Sequence, residues 1–318
     1  MPQSLAEYAE WLAGRKLIWP AAPPAVSVKA TPYIRPLTGI RAVTWSVYGT
    51  LLRITDGELL HTHPQQLRMQ VALEKTIQEF NMWNSMTRKP GAPWEYMLHQ
   101  YQEIFSDLQM AATRQKGDVP EINSSELWRK ILDRLGKKEY QYDESQYGDL
   151  DELAEKVAYF FHASLQGVEA TAGAREALTS VMQAGLTQGL MAEAQPFTLV
   201  QLLRAFSGSA KLAPLGELFT PGCLVLSFQV GVRPPSKSLY RAAVRRFESA
   251  GIAPREVLHI GCRVQDDLAA AREMGFRTAL FAGDGASLKA TKAELLDPAL
   301  KPDRLLTDLR QLRDVLSL

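Results

Sequence analysis

Gly261-Cys262-Arg263-Val264-Gln265-Asp266-Asp267 follows a short apolar run, Val257 to Ile260, and opens a helical pattern. Ser46-Val47-Tyr48-Gly49-Thr50 stands in the same relation to Arg41–Trp45. A strand that feeds a turn and then a helix is the repeating unit of an open parallel α/β sheet, whose ligands bind outside the carboxyl ends of the strands. Both stretches are therefore expected at that edge.

Working outward, the alternation continues on the carboxyl side. From Thr171 the pattern predicts a helix over Ala174–Met182, a strand over Gly189–Ala192, a helix over Phe197–Phe206 and a strand over Leu224–Phe228. A helix over Ser236–Ser249 leads to the Val257–Ile260 strand, and a helix over Asp266–Met274 to a strand over Thr278–Phe281. A last strand near Arg304–Leu306 precedes a terminal helix. Between Gly57 and residue 168 the spacing is helical throughout: Leu67, Val71, Glu74 and Phe80; Trp94, Met97, Leu98, Tyr101, Ile104 and Phe105; Leu127, Trp128, Ile131 and Leu132; Leu153, Val157, Phe160 and Phe161. The expected architecture is a doubly wound parallel sheet formed by 40–56 and 169–318, with a helical insertion at 57–168 after its first strand. Residues 1–39 precede it: a helix opened by the capping box Ser4-Leu5-Ala6-Glu7, with Leu5, Tyr8, Trp11 and Leu12 on one face, and then an arm stiffened by Pro20, Pro23, Pro24, Pro32 and Pro36. The arm either packs on its own molecule or docks a partner.

The 318 residues are 46% hydrophobic and 22% charged, ordinary for a globular chain, and the net charge of +1 offers no electrostatic case for nucleic acid or an anionic membrane. No apolar run approaches the roughly 20 residues that span a bilayer. Glu7, Glu10, Arg15 and Lys16 interrupt any signal-like N-terminus. Cys223 and Cys262 form neither a CxxC pair nor a disulfide framework, so a reducing, cytoplasmic setting is expected.

On these motifs the chain resembles the haloacid dehalogenase-like (HAD) hydrolase superfamily, in the class with a helical cap inserted after the first motif. The resemblance covers roughly Ile40 to Leu316 and is strongest from Gly231-Val232-Arg233-Pro234-Pro235 through Gly275-Phe276-Arg277-Thr278-Ala279-Leu280-Phe281. It implies an aspartate nucleophile at the end of the first strand, where this chain has Ser46. Two residues on, where phosphatases of the family place an acid, stands Tyr48, as in the dehalogenase branch. The Ser or Thr that holds the substrate anion is Ala192, the charge-neutralising Lys is Pro234, and the acid after Gly that ligates Mg²⁺ is Cys262. Asp267 survives, with Asp266 beside it. A serine without an adjacent base is a poor nucleophile. Mg²⁺ wants carboxylate oxygens, and a thiol is a soft ligand. Mg²⁺ is thus implied by the family but not supported by these residues, and no metal site is expected. The expectation is a HAD-like homologue that binds a ligand or partner without hydrolysing a phosphate ester. The rivals are a hydrolase of phosphatase or dehalogenase type using unconventional residues, and a structural or oligomerising protein.

The ligand-binding candidates are Ser46, Val47, Tyr48, Gly49, Thr50, Cys262, Arg263, Asp266 and Asp267. With two carboxylates lost, the N–H groups of the Val47–Thr50 turn and the charge of Arg263 are expected to favour a small anion, although Arg263 could equally point to solvent. A protein partner could use the cap or the arm. Cys262 reads as a small buried residue, with a reactive thiol as the alternative. His61 and His63, before Pro64, read as a helix start rather than metal ligands, and His259 as a hydrogen-bonded core histidine. The Met- and Trp-rich stretch from Phe80 to Trp94 reads as core of the insertion or, alternatively, a binding surface. Arg241, Arg245 and Arg246 read as a solvated helix face.

Overall fold

A computed structural model describes residues 2–86, 91–112, 115–207 and 213–318. Its centre is a six-stranded sheet of β1 (Ala42–Trp45), β2 (Thr187–Ala192), β3 (Leu224–Leu226), β4 (Val257–Gly261), β5 (Arg277–Phe281) and β6 (Arg304–Leu306), in the order β6-β5-β4-β1-β2-β3. Every pair in it is parallel. β1 and β4 are buried along their whole lengths, as expected of strands covered on both faces. Because β1 pairs with both β2 and β4, Ser46 leaves the sheet between the ends of two neighbours. That is the crevice position of an open α/β sheet.

Helix α1 (Leu5–Gly14) starts at the expected capping box, with Ser4 and Glu7 exchanging bonds. The inserted segment supplies α2 (Gln66–Glu79), α3 (Pro93–Ala111), α4 (Ser124–Gly136) and α5 (Leu150–Leu165). In α4, Asn123 caps the N–H groups of Ser125 and Glu126, and Leu127, Trp128, Ile131, Leu132 and Leu135 make a buried stripe. Trp128, Tyr101 and Phe161 pack edge-on and tilted at 5.1–5.6 Å, tying α3, α4 and α5 together. Back in the sheet region follow α6 (Ala174–Gln183), α7 (Thr198–Phe206) and α8 (Lys237–Ser249).

Four local expectations are corrected. The inserted segment is not purely helical: Val119–Pro120 is a short strand that pairs antiparallel with Val232–Arg233. Two residues carry no period, so the sequence pattern does not reveal it. The strand expected to reach Phe228 ends at Leu226, where Ser227–Val230 turns helical. The helix expected from Asp266 begins with a wide π-turn over Val264–Ala269. Helix α2 starts at Gln66 rather than at Pro64, because the Gln65 N–H bonds back to His63 Nδ1 at 3.0 Å and holds a turn there. In the Met- and Trp-rich stretch, Phe80, Met82 and Met86 are core while Trp83 is exposed; residues 87–90 lie outside the described residues. Arg241 reaches Gln115 Oε1, and Arg246 donates to the Leu224 carbonyl.

The proline-rich arm packs along its own molecule as an extended strap. Trp19 meets Phe160 edge-on, Arg15 pairs with Glu79, and the Val26 N–H bonds to Asp284 at 2.9 Å. Farther on, Tyr33 exchanges backbone bonds with Leu305 of β6. Between these anchors the arm crosses Gly167 so closely that a Cβ there would lie 2.2 Å from the Ala21 carbonyl carbon. Gly167→Ala should therefore displace the arm and cost about 1–3 kcal/mol, the usual penalty of overpacking. Urea unfolding would measure the loss. Limited proteolysis should show new cleavage within 17–30, and an unchanged pattern would refute the close crossing.

Candidate functional site

The two turns that open the sequence reading do converge, at the carboxyl ends of β1 and β4. Gly49 adopts a positive φ of 78°, and a Cβ on it would lie 2.6 Å from Cys262 Sγ. Only glycine allows the turn to fold against the thiol. The Gly49 and Thr50 N–H groups bond to Leu52 and Val47 carbonyls within the turn. Ser46, Val47, Tyr48, Thr50, Cys262 and Asp267 are all buried. Asp266 is half-buried, and its carbonyl accepts from the Tyr240 hydroxyl at 2.7 Å. Ala192 closes β2, and Pro234 is buried in the loop after Val232–Arg233.

What fills this crevice is a side chain that the sequence left undecided. Arg263 is 4% exposed and points inward. Its Nε and Nη2 donate to Asp267 Oδ1 at 3.1 and 2.8 Å, and its backbone N–H donates to Oδ2 at 3.1 Å. Its Nη1 donates to Glu193 Oε2 at 3.2 Å and lies 3.7 Å from Glu58 Oε1. Glu193 also pairs with Arg233 at 3.5 Å, and Glu58 with Lys289. Burial works against the charged guanidinium, but Asp267 and Glu193 outweigh it and hold its pKa well above the ordinary value. Burial raises Glu193 in turn, Arg263 opposing and Glu121 adding to the rise. The positive charge expected to attract an anion is therefore already enclosed by the chain's own carboxylates, which corrects the expectation of an open anion site at Arg263.

A second buried cluster lies where the inserted segment meets the ends of β2 and β3. Glu121 accepts from Ser227 Oγ at 2.6 Å and from Gln195 Nε2 at 2.9 Å, and His61 Nε2 lies 3.6 Å from it. Ser124 Oγ is 2.7 Å from His162 Nε2 and 3.3 Å from His61 Nδ1. His61 thus belongs to a polar network rather than to a helix start. Tyr48 donates to Gln201 Oε1 at 2.7 Å and lies 2.9 Å from Thr198 Oγ1, both on α7. Burial drives its phenol well above the usual range, so it remains a neutral donor.

His259 is more than a core residue. Its Nε2 stands 3.5 Å from Ser46 Oγ, so a base does neighbour the serine, contrary to the sequence reading. Burial lowers the imidazole to about 4, with Asp267 pulling it back up. Burial pushes the Cys262 thiol up to about 12, and Asp267 adds to the rise. A thiol so held stays protonated at neutral pH, in keeping with the reading of a small buried residue.

These donors do not fit Mg²⁺. Both oxygens of Asp267 face Arg263, the thiol is neutral and soft, and Ser46 supplies only a hydroxyl. Among the described residues no cluster of His, Cys, Asp and Glu has the geometry of a metal site.

Residues 232–312 match the HAD-hydrolase-like family. No curated protein matches the chain. Among solved structures, 2-haloacid dehalogenase from Pseudomonas syringae pv. Tomato DC3000 is similar over 87% of this chain and 98% of its own, at 22% identity and a TM-score of 0.52. A magnesium-bound HAD-hydrolase, YfnB from Bacillus subtilis, is similar over 88% and 99%, at 18% identity and a TM-score of 0.44. L-2-haloacid dehalogenase from Xanthobacter autotrophicus is similar over 86% and 96%, at 18% identity and a TM-score of 0.42. At these identities the likeness is one of fold. No helix among the described residues is long and apolar enough to cross a membrane.

Two outcomes test the site. Arg263→Ala leaves Asp267 without its cation and Glu193 and Glu58 with only Arg233 and Lys289, and breaking a buried pair in this way costs about 3–5 kcal/mol. Millimolar Ca²⁺ or Mg²⁺ should recover part of the lost melting temperature in the variant and none in the parent; equal shifts in both would contradict the assignment. The second outcome concerns pH. A histidine held neutral by the fold contributes stability fully above its unfolded pKa of 6.5, and that contribution disappears as pH falls toward about 4. For His259 the loss approaches about 3 kcal/mol, at about 1.4 kcal/mol per pKa unit. Urea midpoints from pH 7 to 4 should fall, and His259→Gln should flatten the slope.

Proposed function

We infer that this member of the HAD-like hydrolase superfamily keeps the fold while its crevice is occupied by its own side chains, and that it acts by binding rather than by hydrolysis. The observation that carries the reading is the Arg263 guanidinium enclosed by Asp267, Glu193 and Glu58. A metal-dependent phosphatase of this fold needs a cation-binding carboxylate, a nucleophile and room for a substrate, and a dehalogenase needs the last two. Here the surviving carboxylate is engaged, the nucleophile position is a buried serine, and Glu121 lies across the ends of β2 and β3. The helical insertion then serves as a cap held shut.

Closure has several parts that reinforce one another. Val119–Pro120 pairs with Val232–Arg233, and Glu121 docks on Ser227 and Gln195. The arm adds a strap across both parts. Two separate buried thiols suit a reducing, cytoplasmic setting.

One observation favours the rival hydrolase: Ser46 beside His259 is a nucleophile next to a neutral imidazole. The experiment that separates the readings is a turnover screen of the pure protein with aryl phosphates and 2-haloacids, with Mg²⁺ and with EDTA, beside a buffer blank. Release should match the blank in every condition, and Ser46→Ala and His259→Asn should change nothing. Turnover abolished by either substitution would establish a serine hydrolase and overturn the binding reading.

A further inference from the structure

We propose that the groove between the N-terminal arm and the inserted helices is a binding site for a small amphipathic aromatic anion. It is a surface groove open to solvent on one side, with a volume of about 850 Å³, within the roughly 300–1,000 Å³ of small-molecule sites. Its elements come from α1, the start of the arm, α2 and α5, all outside the 232–312 segment matched by the family. The site is therefore a property of this chain's own arm and not of the crevice, and it stands independently of whether the crevice is catalytic.

Two features define the ligand. The first is an aromatic lining. Trp11, Trp19, Tyr147 and Phe160 border the space. Trp11 was expected on the packed face of α1 with Tyr8 and Leu12; those two are buried, but the Trp11 ring is 37% exposed. A large ring left half in solvent beside a concave space is a surface that a planar ligand can cover. Ile18, 85% exposed, extends the apolar rim.

The second feature is charge. Arg15, Lys16 and Lys75 line the groove against one carboxylate, Glu79. Arg15 lies 4.5 Å from the Trp11 ring centroid and pairs with Glu79, so these two balance. Lys75 Nζ lies 5.8 Å from the Trp19 centroid and donates to the Ile18 carbonyl, a neutral acceptor. Lys16 is exposed and forms no ion pair among the described residues. Two ammonium charges therefore remain unbalanced beside an aromatic floor. An aromatic carboxylate, sulfonate or phosphate satisfies both features: its ring lies against Trp11 and Trp19, and its anionic head meets Lys16 and Lys75. A cation meets repulsion at the same place, and a neutral ring forgoes the ammonium contacts.

The probe for this class is 8-anilinonaphthalene-1-sulfonate, titrated into the full chain at low salt with excitation of tryptophan. Saturable binding at one site is expected, with energy transfer from tryptophan, a rise in melting temperature and weakening by added salt. Lys16→Glu changes an exposed side chain and should leave the melting temperature of the free protein unchanged. It should weaken the probe by roughly tenfold or more, a loss of about 1.4 kcal/mol or greater. Trp11→Ala should weaken binding and reduce the energy transfer. The uncharged analogue N-phenyl-1-naphthylamine should bind more weakly than the sulfonate. Non-saturating uptake, equal binding of the neutral analogue, or a Lys16→Glu variant that binds as the parent does would each overturn the site.

Discussion

The ion pair between Arg263 and Asp267 is the contact on which the centre of this molecule depends. It joins two residues of one turn, yet it reaches both sides of the crevice because Nη1 extends to Glu193 at the end of β2 and toward Glu58 at the mouth of the insertion. A buried guanidinium is costly to desolvate, and its stabilisation comes only from good geometry and satisfied donors. Here both requirements are met by carboxylates that arrive from three separate segments. The wide turn over Val264–Ala269 follows from the same contact, since Asp267 folds back to accept the Arg263 N–H. Remove the cation and Asp267 loses its only ion-pair partner among the described residues, in a buried position.

An enzyme that handles its substrate beneath a cap must open and close it. In this chain the inserted segment is joined to the sheet region by buried polar contacts: the Glu121 bonds to Ser227 and Gln195 and the short ladder at Val119–Pro120. These groups lie in the same low-dielectric interface, where an unpaired polar atom costs the full desolvation of that group. This polar network holds the inserted segment against the ends of β2 and β3. Tyr48, bonded to α7 within the sheet region, is likewise a hydrogen-bonding strut.

Most of the sheet was legible in the sequence because its strands are short apolar runs separated by helical spacing, a pattern that only a parallel sheet covered on both faces satisfies. The placing of Ser46, Ala192 and Cys262 at strand ends was legible too, since each ends or directly follows an apolar run. The partners of those positions were not. Glu193 directly follows the motif position Ala192, but nothing local in the sequence turns its side chain toward Arg263. Glu121 belongs to a stretch with no period, and its meeting with Gln195 and Ser227 is a tertiary event. The orientation of Arg263 depended on where three distant carboxylates would fall. His259 was read as core, correctly, while its 3.5 Å approach to Ser46 needed the parallel register of β1 and β4. Trp11 followed the helical period of its neighbours, but the arm that turns back beside it leaves the ring at the rim of a groove.

The bond between Tyr33 and Leu305 has a consequence for assembly. β6 is an edge strand, and such an edge offers unpaired N–H and C=O groups to any other chain. The arm covers part of it, and Arg304 reinforces the cover by donating to the Arg35 and Pro36 carbonyls, the latter 268 residues away in sequence. During synthesis the arm emerges before its docking strand. The arm must therefore wait, extended by its prolines, until β6 has been made. Until that moment the sheet has an open border, so the time between completion of β6 and docking of the arm is the interval in which a nascent molecule is most exposed to pairing with another.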